Sequence, residues 1–322
     1  MEVFNLTLTQ MLNMFFLIIV GFILKRAKIF PDNCDTTISR LQTYALVPAL
    51  NLINQAKKCT VESFMGNSPL LLYGLILVVV AIGLSYPLSL LFAKKSKDAK
   101  EIYQRQIYKY SLAFGNYGYV GNFLVLGIWG QDMLFKYLLF TFIPGIFCYA
   151  WGMYILIPKS QNSSGILGNL KNSLLKPPFV SLVIGMILGL TGVGKHIPSF
   201  LDTALTNAGN CMGPLAMVLA GVVIGSYNFK EIILFKKVYV VSALRLIIIP
   251  AIFIVLLKLF NTPEDVILLV LVAFAAPIGM NTIVYPAAFG GDTKTGASMA
   301  LISSVLSVIT IPLMFYMFNI NI

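Results

Sequence analysis

Near the C-terminus an apolar stretch, 273–292, reads AFAAPIGMNTIVYPAAFGGD. Its ends suit a membrane helix, yet Pro277, Gly279, Asn281 and Pro286 occupy its interior. Proline lacks a backbone donor and clashes with the preceding turn, and glycine tolerates angles that other residues avoid. Hydrocarbon offers no partner to the backbone groups so freed, and such a backbone has to face protein or a water-filled cavity. A second stretch, 111–127 (SLAFGNYGYVGNFLVLG), repeats the anomaly with Asn116, Gly118, Gly121 and Asn122. Two interrupted membrane helices in one chain are the pattern of a transporter's binding site.

The rest of the chain fits a polytopic membrane protein. Of 322 residues 58% are hydrophobic and 11% charged, against about a quarter charged in an ordinary soluble domain. The net charge of +11 sits in short loops between apolar spans. That placement suits topology facing an anionic leaflet and argues against nucleic acid as a partner. Cys34, Cys59, Cys148 and Cys211 have no CxxC or metal spacing, so neither a disulfide, a metal nor another cofactor is expected. Leu6–Leu24 is long enough to span and lacks a small-residue cleavage site before Lys25 and Arg26. It reads as a first membrane helix and not as a signal peptide.

A requirement of about 20 apolar residues per span yields ten helices: 6–24, 37–56, 69–93, 107–129, 133–157, 177–194, 200–226, 232–259, 264–289 and 294–318. Basic residues crowd the odd-numbered loops: Lys25, Arg26 and Lys28; Lys94, Lys95, Lys97, Lys100, Arg105 and Lys109; Lys159, Lys171 and Lys176; Lys230, Lys236 and Lys237; Lys294. The even-numbered loops hold only Lys57, Lys58, Lys136, Lys195 and Lys258. Odd loops are therefore expected in the cytoplasm and both termini outside, in a plasma (inner) membrane protein. This orientation places Cys34 inside and Cys59 outside. An internal repeat is also visible. LIIVGFIL at 17–24 resembles SLVIGMIL at 181–188, setting Gly21 against Gly185. Pro48 then aligns with Pro214, Pro87 with Pro250, and Asn116 with Asn281. Five spans per half is an odd number, so the halves are expected to be inverted: 1–158, a cytoplasmic linker 159–176, and 177–322.

These residues resemble the auxin efflux carrier family, including its short bacterial members described as malate or malonate permeases. The likeness runs over nearly the whole chain. It is most specific in the Pro277-x-x-x-Asn281 break, the following YPAAFGGD, and the Ser-rich last helix with Thr310 and Pro312. Asn116 and Gly121 fit the family's fourth helix, although Phe123 stands where proline is usual, so the break there is expected to rest on Gly118 and Gly121. Arg245 matches a basic position of its eighth helix. The resemblance implies an all-α membrane fold of ten helices, like sodium/proton antiporters and bile-acid symporters, with crossed broken helices 4 and 9. It implies a homodimeric scaffold of helices 1, 2, 6 and 7, a transport domain of helices 3–5 and 8–10, and carboxylate substrates.

The residues point to an anion independently. Each broken helix starts its second half with orphan N–H groups, equivalent to about half a positive charge, and two converging starts would attract a carboxylate. Asn116 and Asn281 would contact it or only cap the breaks, and Asn51, Asn122, Tyr119, Gly279 and Met280 are further candidates. Tyr117 and Tyr285 line the pocket or belong to packing, and Pro48 and Pro214 are kinks or border the site. Arg245 is the one charge expected deep in a span, paired with backbone carbonyls or snorkelling. Asp292 is expected to cap the last helix. An enzyme is disfavoured: His196 is the only histidine, with no triad or metal spacing around it. A channel or receptor is the remaining rival. The expectation is a secondary transporter of small organic anions working by alternating access, with a sodium-coupled symporter as the alternative.

Overall fold

In a computed structural model the described residues are 2–93, 97–158, 165–228, 235–288 and 291–320. Lys94, Lys95, Lys159, Lys230, the start of the linker and Phe289-Gly290 lie outside them. The described chain is all-helical, with no strands. Among the described residues six helices are long and apolar enough to cross a membrane: Val3–Arg26, Val61–Ser89, Tyr117–Leu156, Ser199–Gly225, Lys237–Leu259 and Lys294–Met317. A seventh results if Gly165–Asn172 and Pro177–Leu190, meeting at 58°, form one bent span.

Length and apolarity alone thus return fewer spans than the ten read from the sequence, for local reasons. The fourth and fifth expected spans join into the single run 117–156, broken at Gly130 by a left-handed φ of 72°. The second, 34–58, is a helix carrying Asn51, Asn54 and Gln55 on its buried side. Ala99–Ala113 and Glu264–Ala275 are each too short to count alone.

Proline shapes several of these helices. Gln42–Leu46 and Leu244–Ile248 are wide turns in which the N–H of Val47 reaches Gln42 O and that of Ile249 reaches Leu244 O. Pro48 and Pro250 follow directly; a ring that crowds the preceding turn and supplies no donor is relieved by one extra residue there. Pro214, by contrast, lies inside the unbroken helix Ser199–Gly225. Its neighbour Gly213 accommodates the ring of Phe123, the residue that stands where the family pattern has proline.

Glu2–Arg26 packs along Ser199–Gly225, and Val47–Lys58 along Pro177–Leu190. Glycines set both contacts. Gly21 lies against the carbonyl of Val218, and Gly185 against that of Leu52. Leu52 and Val218 stand four residues beyond Pro48 and Pro214 respectively, so one close approach occurs twice, each time between a glycine of one half and a carbonyl of the other. Pro69–Ser89 packs on Ala99–Ala113 and Asn122–Phe147, while Ile249–Leu259 packs on Glu264–Ala275. Residues 266–275 are buried without exception, and their uniformly apolar sequence is that of a helix enclosed on all sides. Cys34, Cys59 and Cys148 are buried free thiols and Cys211 is exposed.

Candidate functional site

The two interrupted segments meet. Ala99–Ala113 ends at Phe114, which is extended (φ −122°, ψ 132°), and Asn116 (φ −84°, ψ 50°) precedes the turn Tyr117–Gly121. Glu264–Ala275 ends at Ala276 (φ −57°, ψ 141°), the extended form imposed on a residue before proline. The second half there is Asn281–Ala288. Between them Gly115 and Ile278 form an isolated antiparallel bridge, and the Asn116 N–H donates to Pro277 O at 2.6 Å. Ile278 N–H donates to Ser303 Oγ at 2.9 Å. Each break thus meets part of the other's backbone demand.

Gly115 is the residue on which this contact turns. A Cβ there would lie 2.7 Å from Arg245 Nη2 and 2.8 Å from Ala276 O. The break of the first segment therefore falls at 114–116 and not at Gly118 and Gly121, which lie in the first, wide turn of the second half. Gly121 instead makes room for the Tyr137 hydroxyl, which donates to Tyr117 O at 3.1 Å. Pro286 is likewise no break residue, since it lies inside Asn281–Ala288. Pro277 does lie in its break.

Arg245 is 1% exposed, the only charged side chain among the buried described residues. Nη1 donates to Phe274 O at 2.7 Å and Nη2 to Ala273 O at 3.3 Å, with the guanidinium over the Phe274 ring. Of its two expected fates, carbonyl pairing is the one observed. The guanidinium sits at the negative end of Glu264–Ala275, where a cation is favoured. Asp292 caps the last helix, as expected: its carboxylate accepts from Lys294 N at 2.9 Å and from Thr295 Oγ1 at 2.6 Å.

Beside the bridge lies a cavity of about 120 Å³. Asn51, Asn116, Gly118, Tyr119, Asn122, Gly279, Met280 and Asn281 line it, as does Tyr117. Gly121, Pro277, Pro286, Pro48, Pro214 and Arg245 do not. Asn51 Nδ2 donates to Pro178 O at 3.0 Å, while Oδ1 of Asn51 and Oδ1 of Asn122 are buried without a hydrogen-bond partner among the described residues. Such groups are few in native proteins, and two such amide oxygens border this one cavity. Asn281 Nδ2 donates to Tyr110 Oη at 2.8 Å, and that hydroxyl lies 3.1 Å from Cys148 Sγ.

Sequence reasoning missed the far wall: Thr141, Gly145, Cys148 and Tyr149 on one helix, Pro178 and Phe179 on another. The first four recur at helical spacing, but on a helix apolar all round that spacing carries no contrast. A second chamber of about 210 Å³ adjoins the first and shares Gly118, Tyr119, Tyr149, Met280 and Asn281 with it. Tyr285 and Lys176 belong to this chamber. Burial pushes the Lys176 ammonium below its ordinary value.

The family model described as membrane transport protein matches this sequence twice, over residues 6–168 and 166–315. No curated protein matches it.

Proposed function

Because the chain belongs to the auxin efflux carrier family of membrane transport proteins, we propose that it is a secondary transporter of small organic anions. The observation that carries this reading is the Gly115–Ile278 pairing, which brings Asn116 and Asn281, each at the start of a second half-helix, to one cavity. Each such start contributes roughly 0.3–1 kcal/mol toward an anion, and about 2 when partly buried. A break also presents the negative end of its first half, which would cancel this attraction. Arg245 offsets that end in the second break by binding the carbonyls of Ala273 and Phe274. The positive end then prevails at the second break. Asn116, Asn281, Asn51 and Asn122 supply neutral amides that orient a carboxylate and still release it.

On this reading the chain is ten helices in two inverted five-helix repeats, 1–158 and 177–322, joined by the linker 159–176. The repeated glycine contact and the double family match support it. Helices 1, 2, 6 and 7 form the scaffold, consistent with the packing of Glu2–Arg26 on Ser199–Gly225 and of Val47–Lys58 on Pro177–Leu190. Helices 3–5 and 8–10 move against it. The cavity is walled from both groups, by Asn51 and Phe179 on one side and by Asn116, Cys148 and Asn281 on the other. Relative motion would therefore change the face to which it opens. A plasma-membrane homodimer with external termini completes the proposal. An interior-negative potential favours anion export by about 2.3 kcal/mol per charge per 100 mV, so uptake needs a coupled cation.

A thermal-shift screen of the purified protein against mono- and dicarboxylates, with and without sodium, tests this directly. At least one carboxylate is expected to raise the melting temperature, and a sodium requirement would identify the coupled ion. Stabilisation by neutral or cationic solutes alone would overturn the reading.

A further inference from the structure

By its place in the sequence Lys176 is one more loop charge, but its surroundings give it a different role. Its carbonyl accepts from Phe179 N at 3.0 Å and from Val180 N at 3.1 Å, making it the residue that starts the helix Pro177–Leu190. With Pro177 following, the backbone is fixed. The side chain runs inward, and its ammonium lies 5.2 Å from the Tyr149 ring centroid and 5.6 Å from that of Tyr285. A topology lysine extends its head toward water, whereas this one is half-buried in the wall of the second chamber. The ion pairs among the described residues engage Lys25, Lys57, Lys58 and Lys136, not Lys176. Among the described residues its ammonium's one hydrogen-bonding contact is the Met153 sulfur at 3.9 Å.

Two positive poles thus border two adjoining chambers that share Gly118, Tyr119, Tyr149, Met280 and Asn281. The first is the pair of half-helix starts at Asn116 and Asn281; the second is the Lys176 ammonium. Tyr285, on which that ammonium rests, follows Asn281 by four residues of helix, about 6 Å along its axis. A monoanion needs only the first pole. We propose that Lys176 binds the second negative group of a dianionic substrate, one carboxylate lying at the Asn116–Asn281 crossing and the other between Tyr149 and Tyr285. Lys176 is then the residue that sets preference for two charges over one. This inference rests on the organic-anion reading and adds to it a specificity residue supplied by the end of the linker.

The test is a thermal-shift titration of the full chain with malonate, succinate and glutarate against acetate and propionate, on wild type, Lys176→Gln and Lys176→Arg. Loss of a charge-assisted contact is expected to lower the dicarboxylate-to-monocarboxylate affinity ratio at least about tenfold in K176Q. K176R is expected to keep the ratio close to wild type. If K176Q melts early without ligand, Lys176→Met, which retains the apolar stem, carries the same comparison. A ratio unchanged in the neutral variants, with carboxylates still binding, overturns the role of Lys176 and leaves the transporter reading standing. If no carboxylate binds the wild type, the organic-anion reading fails first and this inference falls with it.

Discussion

Arg245 shows how a single side chain is made tolerable where it stands. A charge deep in a span costs about 2.5–3.5 kcal/mol on insertion scales. Here the guanidinium answers the Ala273 and Phe274 carbonyls that the break would otherwise leave bare. Each buried acceptor without a donor costs about 1–3 kcal/mol. Arg245→Met is therefore expected to lower the melting temperature in detergent, with Arg245→Lys, which keeps the charge but fewer donors, falling between. An R245M protein as stable as wild type would contradict the capping account. The presence of a deep basic residue was legible from its place in an apolar run. Its partners were not, because backbone carbonyls leave no mark in sequence.

At the scale of elements the account depends on two backbones approaching at Gly115. Ala there would meet Arg245 Nη2 and Ala276 O at 2.7 and 2.8 Å, whereas a Cβ at Gly118 meets nothing within 4 Å. Gly115→Ala is thus expected to destabilise the fold, and Gly118→Ala to preserve it while narrowing the cavity that Gly118 lines. Melting curves together with carboxylate titrations separate the two; equal melting temperatures would remove the close approach from the account. The second break was legible because Pro277 forces it locally. The first lies several residues before the conspicuous Gly118 and Gly121, because it is set by a distant partner, the Pro277 carbonyl. Pro286, the sixth of the eight residues of Asn281–Ala288, breaks nothing there: its missing N–H leaves only the Thr282 carbonyl without its helical donor.

For the molecule as a whole, the sequence showed an apolar chain with an internal repeat, and the paired contacts at Gly21 and Gly185 agree with that repeat. The cavity's far wall and the setting of Lys176 come from residues scattered along the chain and had no sequence signal. Orientation can be tested without native thiols, since Cys34 and Cys59 are buried and unsuited to labelling. In a cysteine-free background, Asp32→Cys and His196→Cys, both at exposed positions, are expected to react with an impermeant reagent from opposite faces, Asp32 from the cytoplasm. Labelling of both from one face would refute the inverted arrangement. The most direct test of the central claim, that an anion is held where the two breaks meet, is exchange of a labelled carboxylate in proteoliposomes carrying wild type or Asn281→Ala at equal incorporation. The account predicts saturable flux, accelerated by unlabelled substrate on the far side, in wild type and its loss in N281A; undiminished exchange in N281A would contradict it.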